Sequence, residues 1–148
     1  MESEFRQNKA TGQWVIIAPG RGKRPHDFPQ HREGGGRLPA WDAECPFCPG
    51  NERMLPPLIT EIPAPGRALW QTRVAPNKFP ALTPDKRGER SARGIYLTAP
   101  GVGRHEVIIE SPDHNTDIPQ MPLEEVGLIV ETYHRRYLDL TNQDPDMS

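Results

Sequence analysis

This 148-residue sequence has few cysteines, no long apolar run and only a small surplus of negative charge. Its two cysteines share a single Cys-x-x-Cys, which excludes the disulfide framework of small extracellular domains. The longest apolar run, Trp14 to Ala18, is too short for a membrane span or for the core of a signal peptide. With 18 basic and 20 acidic residues, the formal net charge of −2 disfavours general binding to nucleic acid. We therefore expect a soluble, cytoplasmic protein that binds neither membranes nor nucleic acids.

Proline and glycine are what the sequence has in quantity. It contains 18 prolines and 13 glycines, and hydrophobic residues make up 34% of the chain, so we expect much loop around a small core. Half of the prolines lie between Pro25 and Pro65, where neither a continuous helix nor a central strand can form. This segment is therefore either disordered or an extended loop that something other than a core holds in place.

Hydrophobic periodicity predicts one long helix and several strands. Strands are predicted at 13–17, 95–98 and 104–110, with shorter ones at 58–62 and 73–75. The helix is predicted over 122–140, with a single apolar stripe made of Leu123, Val126, Val130, Tyr133, Tyr137 and Leu140. Strands without a βαβ alternation, beside one main helix, predict an α+β protein built on an antiparallel sheet.

The sharpest local pattern is Cys45-Pro46-Phe47-Cys48-Pro49-Gly50-Asn51. Two thiolates at this spacing can bind one tetrahedral metal ion, which then needs two further ligands. A metal would also anchor the proline-rich loop. A redox pair and a pair of structural thiols are the alternatives, and the redox pair would need a helix that begins at the first cysteine. Because Pro49-Gly50 follows, we favour the metal.

Histidines are the natural candidates for the missing ligands. His114 follows a strand end in Ser-Pro-Asp-His, where a rigid turn can hold an imidazole, although an exposed turn residue is an equal reading. His105 lies within a predicted strand and could simply pack there. The remaining three fit solvent-exposed positions: His26, His31 and His134.

Two short segments could contact phosphate or a base. Arg21, Lys23 and Arg24 follow the first predicted strand, and guanidinium groups suit phosphate oxygens, although a solvated basic loop is the alternative. Asn77 lies in Pro76-Asn77-Lys78-Phe79-Pro80, where its amide could bind a nucleotide or serve only as a turn residue.

Taken together, these segments resemble the amino-terminal half of the galactose-1-phosphate uridylyltransferase family, in the histidine-triad superfamily. The matching stretches occur in family order and run nearly end to end: 11–15, 19–25, 45–52, 76–82 and 103–114. The resemblance implies a histidine-triad-like half with an antiparallel sheet, one main helix and a proline-rich loop that binds zinc.

The resemblance also implies an activity. Such enzymes transfer a uridylyl group between UDP-glucose and galactose 1-phosphate, in galactose metabolism, through a uridylyl-histidine intermediate. It identifies Cys45, Cys48 and His114 as zinc ligands. It identifies Arg21, Arg24, Asn77 and Lys78 as nucleotide-binding residues, and in the family's homodimers the arginines can serve the neighbouring subunit. Because relatives with other substrates share these motifs, UDP or ADP as the nucleotide, and the identity of the hexose 1-phosphate, stay open.

One family feature is missing. The His-Pro-His segment, which holds the nucleophile and the fourth zinc ligand, has no counterpart among the five histidines. We therefore expect residues 1–141 to be the amino-terminal portion of the domain, 142–148 to be a polar tail truncated before that segment, and the isolated chain to be inactive. Water, His105 or another chain would supply the fourth ligand. A zinc-stabilised nucleotide-binding module without catalysis is the alternative function.

Overall fold

A computed structural model describes residues 2–23, 38–66, 68–85 and 88–143. Arg24, His26 and His31 lie outside the described residues. The chain forms two compact units, Met1–His31 with Asn77–His105, and Arg32–Pro76 with Glu106–Ser148. Its main elements, in chain order, are β1 (Glu4–Gln7), β2 (Trp14–Ile17), β3 (Thr60–Pro63), β4 (Trp70–Pro76), β5 (Ser91–Arg93), β6 (Tyr96–Pro100), β7 (Glu106–Ile109) and α1 (Leu123–Gln143).

The first unit contains a four-stranded antiparallel sheet in the order β2-β1-β6-β5. β1 and β2 form a hairpin in which Phe5 pairs with Ile16, and Gly12 at a φ of 72° occupies the turn between them. The predicted strand at 13–17 is thus observed as β2. Its partner β1 escaped prediction because the sequence Glu-Phe-Arg-Gln has a single apolar residue.

The second unit contains a three-stranded antiparallel sheet in the order β3-β4-β7, with α1 against β4. The core lies along β4, where Val74 and Thr72 are fully buried and Gln71 is 1% exposed. The strand predicted at 73–75 is therefore only part of β4, which has seven residues. Its first half was missed because polar side chains are buried there with partners, including Thr72, whose Oγ1 lies 2.6 Å from Oγ1 of Thr132.

The buried face of α1 corrects a sequence prediction. The predicted apolar stripe is not the buried face: Val130 and Tyr137 on it are exposed, whereas Ile129, Thr132 and Arg136 are buried. Arg136 is buried because its guanidinium group forms two hydrogen bonds of 2.9 Å with the carboxylate of Glu106 on β7. The helix also ends at Gln143, within the segment that the sequence predicts to be a polar tail.

The prediction of an α+β protein with antiparallel sheets and one main helix is confirmed. None of the helices in the described ranges is long and apolar enough to cross a membrane.

Candidate functional site

Three side chains of the second unit converge on one point. The ligand atoms of Cys45, Cys48 and His114 all lie within 4.8 Å of one another, and Cys48 is 2% exposed. Cys48 Sγ lies 3.5 Å from His114 Nδ1. A sulfur and a nitrogen bound to one tetrahedral zinc ion, at roughly 2.3 and 2.05 Å, would lie about 3.6 Å apart. The observed separation therefore fits two ligands of a single ion, and this group could bind a metal.

The cysteine loop is shaped by its own backbone and by one buried amide. The N–H of Cys48 donates to the carbonyl of Cys45, and Gly50 takes a φ of 91° that side chains rarely tolerate. Asn51, 6% exposed, donates from Nδ2 to the carbonyls of Asp42 and Cys45 at 2.9 and 2.7 Å. Asn51 therefore closes the loop from inside, a role that the sequence analysis missed.

A second segment connects this loop to the histidine turn. The backbone N–H of His114 donates to the carbonyl of Ala40 at 2.9 Å, and Asn115 Nδ2 donates to the carbonyl of Leu38 at 3.0 Å. Trp41 Nε1 donates to the carbonyl of Pro49 at 2.9 Å. Residues 38–41 thus hold both sides of the metal-ligand group in place without contributing a ligand.

Burial disfavours the thiolate form of Cys48, and a bound cation would favour it, with the thiol proton released to solvent. Burial raises the pKa of the Cys48 thiol above its ordinary value. The N–H of Asp42 donates to Cys48 Sγ at 3.3 Å and opposes that rise by stabilising the thiolate. Since a bound cation favours the deprotonated ligand, the buried thiol, its N–H donor and the facing imidazole fit a metal ion.

Glu52 fastens the cysteine loop to β4. Its Oε1 accepts from Arg73 Nη1 at 2.6 Å and from the N–H of Gly50 at 3.1 Å. Arg73 is 9% exposed and stacks over Trp70, with 4.4 Å between the guanidinium carbon and the ring centroid. The hydrogen bond from Arg73, more than any other contact, lowers the pKa of Glu52 to about 2.

The alternatives for the cysteines fit less well. Within 38–66 the structure has no α-helix that could begin at Cys45, and both cysteines are free. His105 does not belong to the metal-ligand group, because its ring nitrogens contact Ala81 and Asn77 instead. The described residues therefore offer three ligands from this chain.

Three of the predicted nucleotide residues, Arg21, Asn77 and Lys78, lie in described parts of the first unit. Arg21, in the short 3-10 helix Pro19–Lys23, donates from Nη1 to the carbonyl of Phe79 at 2.5 Å. Asn77 accepts the N–H of Phe79 at its Oδ1, at 2.8 Å, and Lys78 is exposed. The structure thus brings Arg21 to the loop that contains Asn77 and Lys78, while Arg24 lies outside the described residues.

An α+β chain whose Cys-x-x-Cys turn faces a histidine has three side chains that could hold one metal ion. The chain belongs to the galactose-1-phosphate uridyl transferase family, whose N-terminal domain matches residues 1–147. The resemblance drawn from the sequence is confirmed.

Relatives from two activities match along the same stretch. An ADP-glucose phosphorylase from Arabidopsis thaliana is 32% identical over 95% of this chain and 40% of its own length. A galactose-1-phosphate uridylyltransferase from Haemophilus influenzae is 28% identical over 91% of this chain and 37% of its own. A crystal structure of an A. thaliana ADP-glucose phosphorylase with bound ADP-glucose superposes with a TM-score of 0.55 at 28% identity, over 97% of this chain and 39% of that one. The chain spans about two-fifths of the length of these relatives.

Proposed function

We propose that this chain is the amino-terminal part of a nucleotidyltransferase that moves a nucleotidyl group between a nucleotide sugar and a sugar 1-phosphate. The observation that carries the proposal is the convergence of the Cys45–Cys48 pair with His114, which lies 66 residues after Cys48 in the sequence. Membership of the family supplies the class of reaction.

Zinc is the metal that the ligand set suits best. Two thiolates and an imidazole are typical ligands of a structural zinc ion, which when bound would cross-link the cysteine loop to the histidine turn. Water or another chain would complete the coordination. Asp42 and Asn51 would support the cysteines through the hydrogen bonds described above.

The nucleotide would be bound by Arg21, Arg24, Asn77 and Lys78. Guanidinium and ammonium groups offset the negative charge of the phosphates, and the Asn77 amide supplies a directed donor and acceptor. The hydrogen bond from Arg21 to the Phe79 carbonyl holds its guanidinium group beside the loop before the ligand arrives.

The nucleotide sugar is UDP-glucose or ADP-glucose, with a hexose 1-phosphate as its partner, and the active assembly is a homodimer. Both nucleotides are kept because relatives named for each activity match this chain, at 32% identity for the ADP-glucose phosphorylase and 28% for the uridylyltransferase. Titration of the chain with each nucleotide sugar distinguishes them, because the preferred one should bind more tightly at the same ionic strength. Submicromolar affinity would instead favour a complete binding module without catalysis.

This chain on its own should bind nucleotide weakly and should not catalyse the transfer. The reaction needs a nucleophile about 3–3.5 Å from the α-phosphorus, in line with the leaving oxygen. The sequence has no His-x-His, His114 faces Cys48, and both ring nitrogens of His105 are engaged. Residues 1–141 would then be a portion of the catalytic domain, with α1 continuing to Gln143.

Radiolabelled UDP-glucose and ADP-glucose test this expectation. Incubation with the purified chain should leave no acid-labile label on the protein. Addition of the carboxy-terminal half of a family member as a second polypeptide should restore transfer. A stoichiometric nucleotidyl-histidine adduct on this chain alone would overturn the expectation.

Elemental analysis of the purified chain tests the metal. We expect about one zinc per chain, protection of both thiols from titration until a chelator is added, and loss of the metal in His114→Ala. His134→Ala is the matched control, because His134 is exposed on α1 and should leave the metal content unchanged. Metal-free protein with two freely titratable thiols would contradict the proposal.

A further inference from the structure

His105 lies immediately before β7, and its backbone and ring contact the loop from Asn77 to Ala81 at three points. Its carbonyl accepts the N–H of Asn77 at 2.8 Å. Its Nδ1 accepts the N–H of Ala81 at 2.9 Å, and its Nε2 lies 3.1 Å from Nδ2 of Asn77. One histidine therefore contacts both ends of a five-residue loop.

The hydrogen bond from the Ala81 N–H fixes the tautomer of the His105 imidazole. A backbone N–H can only donate, so Nδ1 must be the acceptor, and the neutral ring carries its hydrogen on Nε2. That hydrogen faces Asn77 Nδ2 at 3.1 Å, and because Nδ2 is itself a donor, this contact is not a hydrogen bond in the observed orientation of the amide. The ring thus presents a donor to the residue proposed to contact the nucleotide.

The Asn77 amide has one oxygen and two candidate donors. The N–H of Phe79 donates to Oδ1 at 2.8 Å, which turns Nδ2 toward His105. A half-turn of the amide would give the oxygen to His105 Nε2–H and would place the nitrogen at the Phe79 N–H. His105 and Phe79 therefore compete for the same oxygen, and in the observed orientation the N–H of Phe79 has it.

We propose that His105 is a positioning residue of the nucleotide site: its ring nitrogen Nδ1 and its carbonyl hold the two ends of the Asn77–Ala81 loop, and the held loop positions the Asn77 side chain for the nucleotide. The second part of the proposal rests on the proposed function, whereas the first part concerns the loop alone. His105 itself need not contact the ligand, because it acts through Asn77.

Nitrogen-15 spectra of the histidine-labelled chain test the first part without any ligand. We expect His105 to show a non-protonated Nδ1 and a protonated Nε2, and the Ala81 amide to exchange slowly with solvent. His105→Ala should speed that exchange at least tenfold. His105→Asn, whose side-chain oxygen reaches the position of Nδ1, should restore the protection, whereas His105→Gln should not. A protonated Nδ1, or equal exchange of the Ala81 amide in all variants, would overturn the proposal that His105 holds the Asn77–Ala81 loop.

A double-variant cycle with nucleotide sugar tests the second part. His105→Ala should weaken binding of the preferred nucleotide sugar about tenfold, because loss of the hydrogen bond from the Ala81 N–H to Nδ1 releases the loop that carries Asn77. In an Asn77→Ala background the same change should have almost no further effect, because the residue through which it acts is gone. Additive losses would refute the positioning role. If the unmodified chain binds neither UDP-glucose nor ADP-glucose, the proposed function and the second part both fail. The spectra still test whether His105 holds the Asn77–Ala81 loop.

Discussion

Replacement of Arg136 by methionine should destabilise the second unit strongly. The Arg136 side chain is 9% exposed and its partner Glu106 is 11% exposed, so the pair lies in a poorly solvated place. Two hydrogen bonds of 2.9 Å join the guanidinium group to Glu106, and a third of 2.7 Å joins it to Asp139. The contact with Glu106, above all others, raises the pKa of Arg136 above its ordinary value, so the arginine stays charged at every accessible pH.

The magnitude follows from the charge that the substitution leaves behind. Methionine keeps most of the apolar volume but leaves the Glu106 carboxylate buried without its main partner. Breaking a buried pair in this way costs about 3–5 kcal/mol, a large fraction of the roughly 5–15 kcal/mol that holds a domain folded. The double variant Glu106→Gln with Arg136→Met should recover part of the loss, because no buried charge then remains.

The neighbouring arginine provides the matched control. Arg135 pairs with Glu131 one turn earlier on the same helix, but their side chains are 63% and 41% exposed. Arg135→Met should therefore cost less than about 0.5 kcal/mol. Urea unfolding followed by the helical circular dichroism signal measures both variants. If the two midpoints coincide, the Arg136–Glu106 pair contributes no more than a surface pair, and the reasoning from burial fails.

Three further predictions concern the cysteine loop. Cys45→Ala should speed hydrogen exchange across 40–60 far more than in the helix, and uniform exchange would contradict it. Asn51→Ala should cost about 1–3 kcal/mol in urea unfolding, because the carbonyls of Asp42 and Cys45 lose the donor that buried Asn51 supplies, and a loss near zero would argue that Asn51 does not hold the loop. Because Arg73 lowers the pKa of Glu52 to about 2 from an ordinary 4.5, its stabilisation is complete above pH 4.5 and is lost as the pH falls toward 2. Glu52→Gln should flatten the stability–pH curve between pH 4.5 and 2. An unchanged curve would show that Glu52 does not cause the loss of stability in this range.

The elements that sequence predicted best are those with a single regular signal. The strand β2 and the helix α1 were predicted correctly, because an apolar β-rich run indicates a strand and a long periodic segment indicates a helix. The buried face of α1 was predicted incorrectly for a physical reason. Burial there depends on long-range partners, Glu106 for Arg136 and Thr72 for Thr132, and no helical periodicity contains that information.

The residues of the candidate site also fall into those that the sequence predicted and those that it did not. Cys45 and Cys48 were accessible to sequence analysis because their spacing has a chemical meaning, and the resemblance added His114. Asn51 and Glu52 were not, because a polar residue after Pro-Gly is an ordinary turn residue until its partners are known. Their roles depend on carbonyls, on a backbone N–H and on an arginine that only the fold brings near.

The structure also explains how a chain with so few apolar residues orders the part of its proline-rich segment between residues 38 and 59. Of the described residues between 38 and 59, Cys48 and Asn51 alone are buried, so apolar packing contributes little to holding this segment. Backbone carbonyls from Leu38 to Pro49 instead accept from side chains and from the N–H of His114. Each such hydrogen bond contributes only about 1 kcal/mol net, comparable to the entropy cost of ordering one residue. These bonds can therefore pre-shape the loop but cannot hold it firmly, and a metal ion at the cysteines would supply the remaining stabilisation.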